Sequence, residues 1–199
     1  MNIAIILAII FTLAILVVSI KRLRGFKFEA RVISRIGLVA AITIVLYMIK
    51  LVPFPQGGGC SLLSMLPIMI LAVVFSTEEA IICAIIVASL KIIIQPPYYP
   101  LQIPLDYYGS MMAIAFTPMF GVFKKSELVA GALTASAISI FFSILSGVIF
   151  FGEFAPEGMN VWPYSIIYNV LGSGVEAILC VVVLAIIPLT NLKVLQLRN

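Results

Sequence analysis

Long apolar runs separated by short polar breaks dominate this sequence. The runs predict seven helices that cross or enter a membrane, because a spanning helix needs about 20 apolar residues. Several runs are closer to about 16 residues, which is about 24 Å of helix, so we expect these helices to be buried against their neighbours. The predicted helices cover about residues 2–20, 31–51, 60–76, 80–95, 103–123, 127–151 and 162–189.

The composition assigns the chain to the integral membrane proteins. Hydrophobic residues make up 63% of its 199 residues and charged residues 10%, and its mean hydropathy of +1.26 is far above that of a soluble domain. The length accommodates one all-α membrane bundle. No segment is long or polar enough to form a nucleotide-binding domain, so any use of ATP requires partner subunits. Nothing in the sequence predicts a nucleic-acid partner.

The residues that would support an enzyme or a metal site are scarce. The chain has no histidine, and its three cysteines, Cys60, Cys83 and Cys180, are far apart, so we predict no metal and no resident cofactor. An intramembrane hydrolase is disfavoured, because no histidine base and no Gly-x-Ser-x-Gly motif exist. Asp106 and Glu176 are the acids inside the apolar runs, and nothing indicates that they act as a pair.

The basic residues predict how the bundle lies in the membrane. Most of the 12 lysines and arginines occur at alternate breaks or near the C-terminus, and such residues favour the cytoplasmic side. We therefore expect a multi-pass protein of the bacterial cell membrane, with the N-terminus outside and the C-terminus in the cytoplasm. The first run lacks a basic start and an Ala-x-Ala site, so a retained helix is preferred over a signal peptide. The residues used are Lys21, Arg22, Arg24, Lys27, Arg31, Arg35, Lys124, Lys125, Lys193 and Arg198.

The remaining breaks are rich in proline, glycine and aromatic residues. They are Pro53–Gly59, Gln95–Pro100 and Gly152–Val161, and the orientation puts all three outside. Irregular backbone near lipid persists only where it is buried in protein or lines a cavity. These loops therefore predict a cavity that opens outward.

Four charged residues lie in or near the predicted helices. Lys50 and Lys91 are near outer helix ends, where a lysine can extend to the interface, and Lys91 has the alternative of pointing into the cavity. Asp106 is too short to reach water, and an unpaired charge there costs several kcal/mol. It must face Lys91, a backbone donor or a cationic ligand. Glu176 lies deeper, and we expect it in a polar cluster or at the cavity floor.

The segment Ser146–Asn169 combines aromatic, acidic and amide side chains with the single tryptophan, a mixture suited to holding a flat polar molecule. Its pattern Ser-Gly-x-x-Phe-Phe-Gly-x-Phe-Ala-Pro-x-Gly-x-x-x-Trp-x-Tyr-Ser-x-x-Tyr-Asn resembles the bacterial thiamine transporter family of the ThiT/YuaJ type. Two shorter blocks agree with the same family: Pro55–Gly58 with Leu63–Ile68, and Pro100–Tyr107. The three blocks occur in family order.

The resemblance implies a fold and a function. Members are S-components, the substrate-binding subunits of energy-coupling factor (ECF) transporters, built as six-helix bundles with an outward-facing vitamin site. Residues 1–24 would be an extra N-terminal transmembrane helix and residues 25–199 the six-helix substrate-binding domain. The implied ligand is thiamine or an analogue. The implied partners are a transmembrane coupling subunit and two ATPase subunits.

The resemblance also assigns roles to residues. Asp106, beside Tyr107, occupies the position of the carboxylate that faces the cationic thiazolium ring. Phe151 stands where some relatives have a stacking tryptophan, and Ser143 stands where the family usually has a histidine. Tyr164 and Asn169 match ligand contacts. The predicted ligand-binding residues are Asp106, Tyr107, Ser143, Phe151, Trp162, Tyr164, Asn169 and Glu176.

A small-residue pair on the first family helix is expected to contact the coupling subunit. Gly37 and Ala41 have this spacing, which lets helix backbones approach closely. Two alternatives to thiamine uptake stay open. One is an S-component for another flat heterocycle, such as a hydroxymethylpyrimidine-like precursor, and the other is a stand-alone secondary transporter, although no internal repeat is evident.

Overall fold

Eight α-helices and one short β-hairpin form the part of the chain that the computed structural model describes, residues 2–188, with the backbone alone for Asn2. Lys193 and Arg198, used above to predict orientation, lie outside the described residues. Two π-helical segments, Ile103–Gly109 and Val170–Gly174, lead into α5 and α8. The elements are α1 (Asn2–Leu23), α2 (Ala30–Met48), β1 (Lys50–Pro53), β2 (Gly59–Ser61), α3 (Leu66–Val74), α4 (Thr77–Ile94), α5 (Ser110–Ile114), α6 (Lys125–Phe150), α7 (Val161–Asn169) and α8 (Val175–Ile186).

The helices follow the predicted apolar runs in order, and the predicted all-α membrane fold is confirmed. Four helical stretches are long and apolar enough to cross a membrane by length and composition. The others are shorter or carry more charge, so they depend on burial within the bundle. The four are Ile3–Leu23, Ala30–Met48, Lys125–Phe150 and Val161–Ile186.

Two of the predicted helices are shorter than the apolar runs suggested. Within 60–76, α3 has only 9 residues, because the chain first pairs β2 with β1 in an antiparallel hairpin. Gly57 and Gly59 adopt positive φ angles of 81° and 122° at its turn, which is cheap for glycine. Within 103–123, the helix ends at Ile114 and a series of turns follows. Pro118, which has no backbone N–H, lies in those turns.

Helix α4 lies at the centre and packs against α1, α2, α3, α5 and the first π-helical segment. Its N-terminus is capped by Ser76, whose hydroxyl accepts a hydrogen bond from the Glu79 backbone N–H at 3.1 Å. Its inward positions are small, with Ala80, Ala84 and Ala88 fully buried. Small side chains let several helices approach α4 closely, so it is buried on most sides despite its charged ends.

Helix α1 packs along α6 and the first π-helical segment. Ala4 and Ala8 of α1 are buried in a cluster with residues of α6. The centroids of the Phe11 and Phe141 rings lie 4.9 Å apart. Most of the remaining face of α1 is exposed isoleucine, leucine and valine, which suits contact with lipid. Its role as an accessory to a six-helix domain stays a prediction.

The two ends of the bundle differ in character. At one end, Arg22 of α1 and Arg35 of α2 form ion pairs with Glu78 and Glu79 at the start of α4, at 3.4 and 2.7 Å. At the other end lie the hairpin, the loop after α4 and the loop after α6. Hydrogen bonds between these loops and their flanking helices, described below, show that they converge as predicted.

We expect Gly131→Ala to destabilise the bundle. A Cβ atom at Gly131 of α6 would collide with the backbone oxygen of Thr117, and overpacking costs about 1–3 kcal/mol. Thermal unfolding in detergent, followed by the fluorescence of Trp162, measures the loss. The matched control is Gly37→Ala, where no atom lies within 4 Å and alanine is the better helix former. Equal unfolding temperatures for Gly131→Ala and the unchanged protein would contradict the packing argument.

Candidate functional site

A polar cavity of about 150 Å³ lies among the three convergent loops. Its lining comes from the hairpin, both π-helical segments and helices α2, α4, α5, α6, α7 and α8. Seven of the predicted ligand-binding residues line it: Asp106, Tyr107, Ser143, Phe151, Tyr164, Asn169 and Glu176.

Asp106 and Tyr107 lie in the first π-helical segment, just after Pro104. Proline supplies no backbone N–H, and π-helical turns frequently occur at functional sites. The Asp106 carboxylate accepts a hydrogen bond from the Ser146 hydroxyl at 2.5 Å, and Ser143 lies against the same carboxylate. The Tyr107 hydroxyl donates to the Gln95 carbonyl oxygen at 2.6 Å, which ties this segment to the end of α4.

Helix α7 forms the opposite wall. Tyr164 and Tyr168 are one turn apart, with ring centroids separated by 6.1 Å. Asn169 uses its Nδ2 atom for hydrogen bonds to the carbonyl oxygens of Ser165, at 2.9 Å, and Ser143, at 3.3 Å. These bonds hold the amide in place beside the cavity. The chain enters its second π-helical segment directly afterwards.

Phe151 belongs to an aromatic cluster that joins two of the loops. Its ring lies 5.9 Å from Tyr98, 5.7 Å from Tyr99 and 6.0 Å from Phe154. The Tyr99 hydroxyl donates a hydrogen bond to Glu153, and that bond raises the pKa of Tyr99. The cluster therefore fixes one side of the cavity.

The hairpin is held over the cavity by Tyr168. The Tyr168 hydroxyl donates to the Pro55 carbonyl oxygen and accepts from the Gly58 backbone N–H at 3.1 Å. The Tyr168 ring also lies edge-on to Phe54, 5.4 Å between centroids. A side chain at Gly58 would collide with the Tyr168 hydroxyl, so this close contact requires glycine.

Glu176 lies at the cavity floor, one of the two positions considered for it, and is only 3% exposed. Its carboxylate accepts hydrogen bonds from the backbone N–H groups of Ser61, at 3.0 Å, and Ser64, at 2.7 Å, and from the Ser64 hydroxyl, at 2.6 Å. These three donors satisfy the buried charge. They also attach the hairpin and the start of α3 to α8.

Both candidate interfacial lysines turn inward and line the cavity. The Lys50 and Lys91 ammonium nitrogens lie 4.0 and 4.4 Å from the centroid of the Tyr47 ring, within cation–π range. Lys50 also donates to the Ser61 hydroxyl at 3.1 Å. The interpretation of Lys50 as a lysine that extends to the interface is corrected, because the hairpin directs it into the bundle.

Trp162 is the one predicted ligand-binding residue that does not line the cavity. It packs with Val148 and Leu145 in an apolar cluster between α1 and α6. It occupies the first turn of α7, where the Asn160 side chain caps the helix by accepting from the Trp162 backbone N–H at 3.0 Å. The cavity-lining residues of α7 begin at Tyr164, and Trp162, in the first turn of the helix, lies before them.

Several cavity residues were not predicted from the sequence. Tyr47 and Gln95 are hydrogen-bonded to each other across the mouth, and Ser61 and Ser64 reach the floor through the hairpin. A tyrosine near a helix end is typical of a membrane interface, and isolated serines are common in membrane helices. No sequence signal separated them from their neighbours.

Within residues 2–188, no group of three histidine, cysteine, aspartate or glutamate side chains is close enough to bind a metal ion. The three cysteines, Cys60, Cys83 and Cys180, are all buried and free. They act as small packing residues, as predicted.

Comparison with known proteins assigns the chain to a family. The family model of the thiamine transporter protein family (Thia_YuaJ) matches residues 33–196. The chain belongs to this family. The thiamine transporter ThiT of Bacillus subtilis (strain 168) is 27% identical to this chain over 177 residues. The match covers 81% of the chain and 92% of that relative. Thiamine transporter ThiT of Lacticaseibacillus paracasei is 30% identical over 100 residues, which are 44% of the chain and 50% of the relative.

A solved structure shares the fold. The structure of ThiT from Listeria monocytogenes superposes with a TM-score of 0.70 at 19% identity, and the match covers 83% of the chain and 96% of that structure. The family match and the four helices long and apolar enough to span a membrane identify a multi-pass membrane transporter and not an enzyme, as expected. The family match begins after α1 ends at Leu23.

In this thiamine transporter family member, we expect Glu176→Leu to release the hairpin. The change leaves the Ser61 and Ser64 donors without an acceptor, at about 1–3 kcal/mol for each buried group. Thermal unfolding and limited proteolysis in detergent should both show the loss of stability. Glu176→Gln keeps one acceptor oxygen, so its stability should lie between those of the unchanged protein and Glu176→Leu. Glu157→Leu, at an exposed loop position, is the control. A Glu176→Leu protein as stable as the control would show that these bonds do not hold the hairpin.

Proposed function

We propose that the protein binds thiamine and is the substrate-binding S-component of an ECF-type importer. The observation that carries the proposal is the Asp106 carboxylate, which faces a cavity walled by the aromatic rings of Phe151 and Tyr164. Relatives in the same family are named thiamine transporters. The ligand suited to this site is flat, partly apolar and positively charged.

The charge of Asp106 is the basis for choosing a cation. A carboxylate removed from bulk water attracts an opposite charge strongly. Its hydrogen bond from Ser146 orients the carboxylate without neutralising it. A positively charged thiazolium ring beside Asp106 would neutralise the negative charge of its carboxylate.

Asn169 supports recognition of a pyrimidine ring. All of the side-chain hydrogen bonds of Asn169 among residues 2–188 use its Nδ2 atom. The Oδ1 atom is left to accept a hydrogen bond from an amino group on the ligand. Tyr164, five residues earlier on α7, offers an aromatic face for the same ring.

Charge distribution supports an outward-facing mouth. The arginine ion pairs Arg22–Glu78 and Arg35–Glu79 lie at the end opposite the cavity, together with the basic segment 21–27. Basic residues favour the cytoplasmic side. The cavity would then open to the outside of a bacterial cell membrane, with the N-terminus also outside and the C-terminus in the cytoplasm.

Energy coupling would come from other chains, a transmembrane coupling subunit and two ATPase subunits. Helix α2 offers a surface for the coupling subunit, because Gly37 and Ala41 are exposed on its outer face. A side chain added at Gly37 would meet no atom within 4 Å. A partner helix could therefore approach the α2 backbone closely.

Ser143 favours a second candidate ligand. It lines the cavity near Asp106, and a serine supplies neither a ring to stack on the ligand nor a ring nitrogen. A flat heterocycle other than thiamine, such as a hydroxymethylpyrimidine-like precursor, would fit such a site. A thermal-shift screen of flat heterocycles distinguishes the two ligands.

We expect purified protein to bind thiamine saturably and Asp106→Asn to weaken binding by about ten- to a hundredfold, since a hydrogen bond or contact to a charged group is worth about 1.5–3 kcal/mol. Isothermal titration in detergent measures both affinities. Glu157→Gln, an acid in an exposed loop, should bind like the unchanged protein. Equal affinities for Asp106→Asn and this control would argue against the proposed cation site.

We expect Gly37→Leu with Ala41→Leu to abolish thiamine uptake while leaving binding intact. The larger side chains would separate α2 from the coupling subunit without touching the cavity. Uptake is measured in cells that express the coupling and ATPase subunits. Uptake that persists when those subunits are deleted would instead indicate a stand-alone secondary transporter.

A further inference from the structure

Lys50 and Lys91 place two ammonium groups in the cavity that the binding of a cation does not explain. Both lie against the Tyr47 ring, at 4.0 and 4.4 Å, and Lys91 is also 5.9 Å from the Tyr107 ring. Within residues 2–188, no carboxylate oxygen lies within 4.0 Å of either nitrogen; the ion pairs there involve Arg22, Arg35 and Lys124. Cation–π contact and one serine hydroxyl are their polar contacts.

The cavity carboxylates are already engaged elsewhere. Glu176 receives three hydrogen bonds from Ser61 and Ser64, and Asp106 receives one from Ser146. These bonds hold each carboxylate in its place. The lysine ammonium groups therefore keep donors directed at the cavity.

The charge balance of the cavity points to a ligand that carries both signs. Lys50 and Lys91 formally balance Asp106 and Glu176, and all four line the cavity. A ligand with a single positive charge would leave one charge uncompensated in a site shielded from water, which is costly. A ligand that combines a cationic ring with an anionic group would also give the two lysines a counter-charge.

We infer that Lys50 and Lys91 form an anion subsite, which takes a phosphate group attached to the cationic ligand. The subsite rests on the proposed function, since Asp106 must hold the cationic ring for the phosphate to reach the lysines. A phosphate has several acceptor oxygens, and lysine ammonium groups bind it as point charges with three donors each. Both ammonium nitrogens lie within 4.4 Å of the Tyr47 ring centroid, so this ring is a contact that the two lysines share.

The test compares thiamine with thiamine monophosphate on the purified full-length protein. We expect the monophosphate to bind more tightly by about ten- to a hundredfold, the value of a charge-assisted hydrogen bond. Lys91→Met and Lys50→Met should each reduce this ratio toward one. Lys125→Met, an exposed lysine at the start of α6, is the matched control and should keep the full ratio.

The outcomes separate the two hypotheses. Thiamine binding with no preference for the monophosphate would overturn the anion subsite and leave the proposed function standing. Binding of neither compound would overturn both. A further arm titrates thiamine in the presence of inorganic phosphate: tighter thiamine binding that Lys91→Met abolishes would support the subsite, with a free anion as its occupant. Thermal unfolding of each variant verifies that it is folded.

Discussion

Non-helical backbone inside a membrane bundle requires a partner for every polar group, and Glu176 supplies that partner. Its carboxylate accepts from two backbone N–H groups and one hydroxyl of the segment that joins the hairpin to α3. Without such an acceptor these buried donors would be unsatisfied, at about 1–3 kcal/mol each. Because the floor is fixed in this way, the hairpin can extend over the cavity to Tyr168, which holds its tip.

The cavity depends on a second departure from regular helix. Asp106 lies inside one π-helical segment, and Asn169 directly precedes the other. A π-helical turn inserts an extra residue and so changes which side chains face inward. The two segments belong to opposite walls, and each brings a polar side chain to the same space. The surrounding α-helices remain well packed, so the irregular backbone is confined to the site.

Much of this architecture was predictable from local chemistry. Alternating basic and Pro/Gly-rich breaks correctly indicated three loops that meet at one end, and the resemblance identified Asp106 and Asn169 as cavity residues. Trp162 does not line the cavity, because it lies in the first turn of α7, before the cavity-lining residues begin, and its role as a ligand contact stays a prediction. The shortness of α3 was missed, since β2 and the residues after it are as apolar as a helix. Tyr47 was missed because it looks like an ordinary interfacial tyrosine.

The sequence by itself determined the class of protein, the order of its helices, the end at which the loops gather and the family to which the chain belongs. The first three follow from hydropathy, charge and turn residues, each of which acts locally, and the family follows from the pattern of Ser146–Asn169 and the two shorter blocks. Only the tertiary structure decided which charges share the cavity. The placement of Lys50 and Lys91 against Tyr47, and of Glu176 under the hairpin, depends on contacts between residues far apart in the chain. Such contacts arise from packing, and no local pattern encodes them.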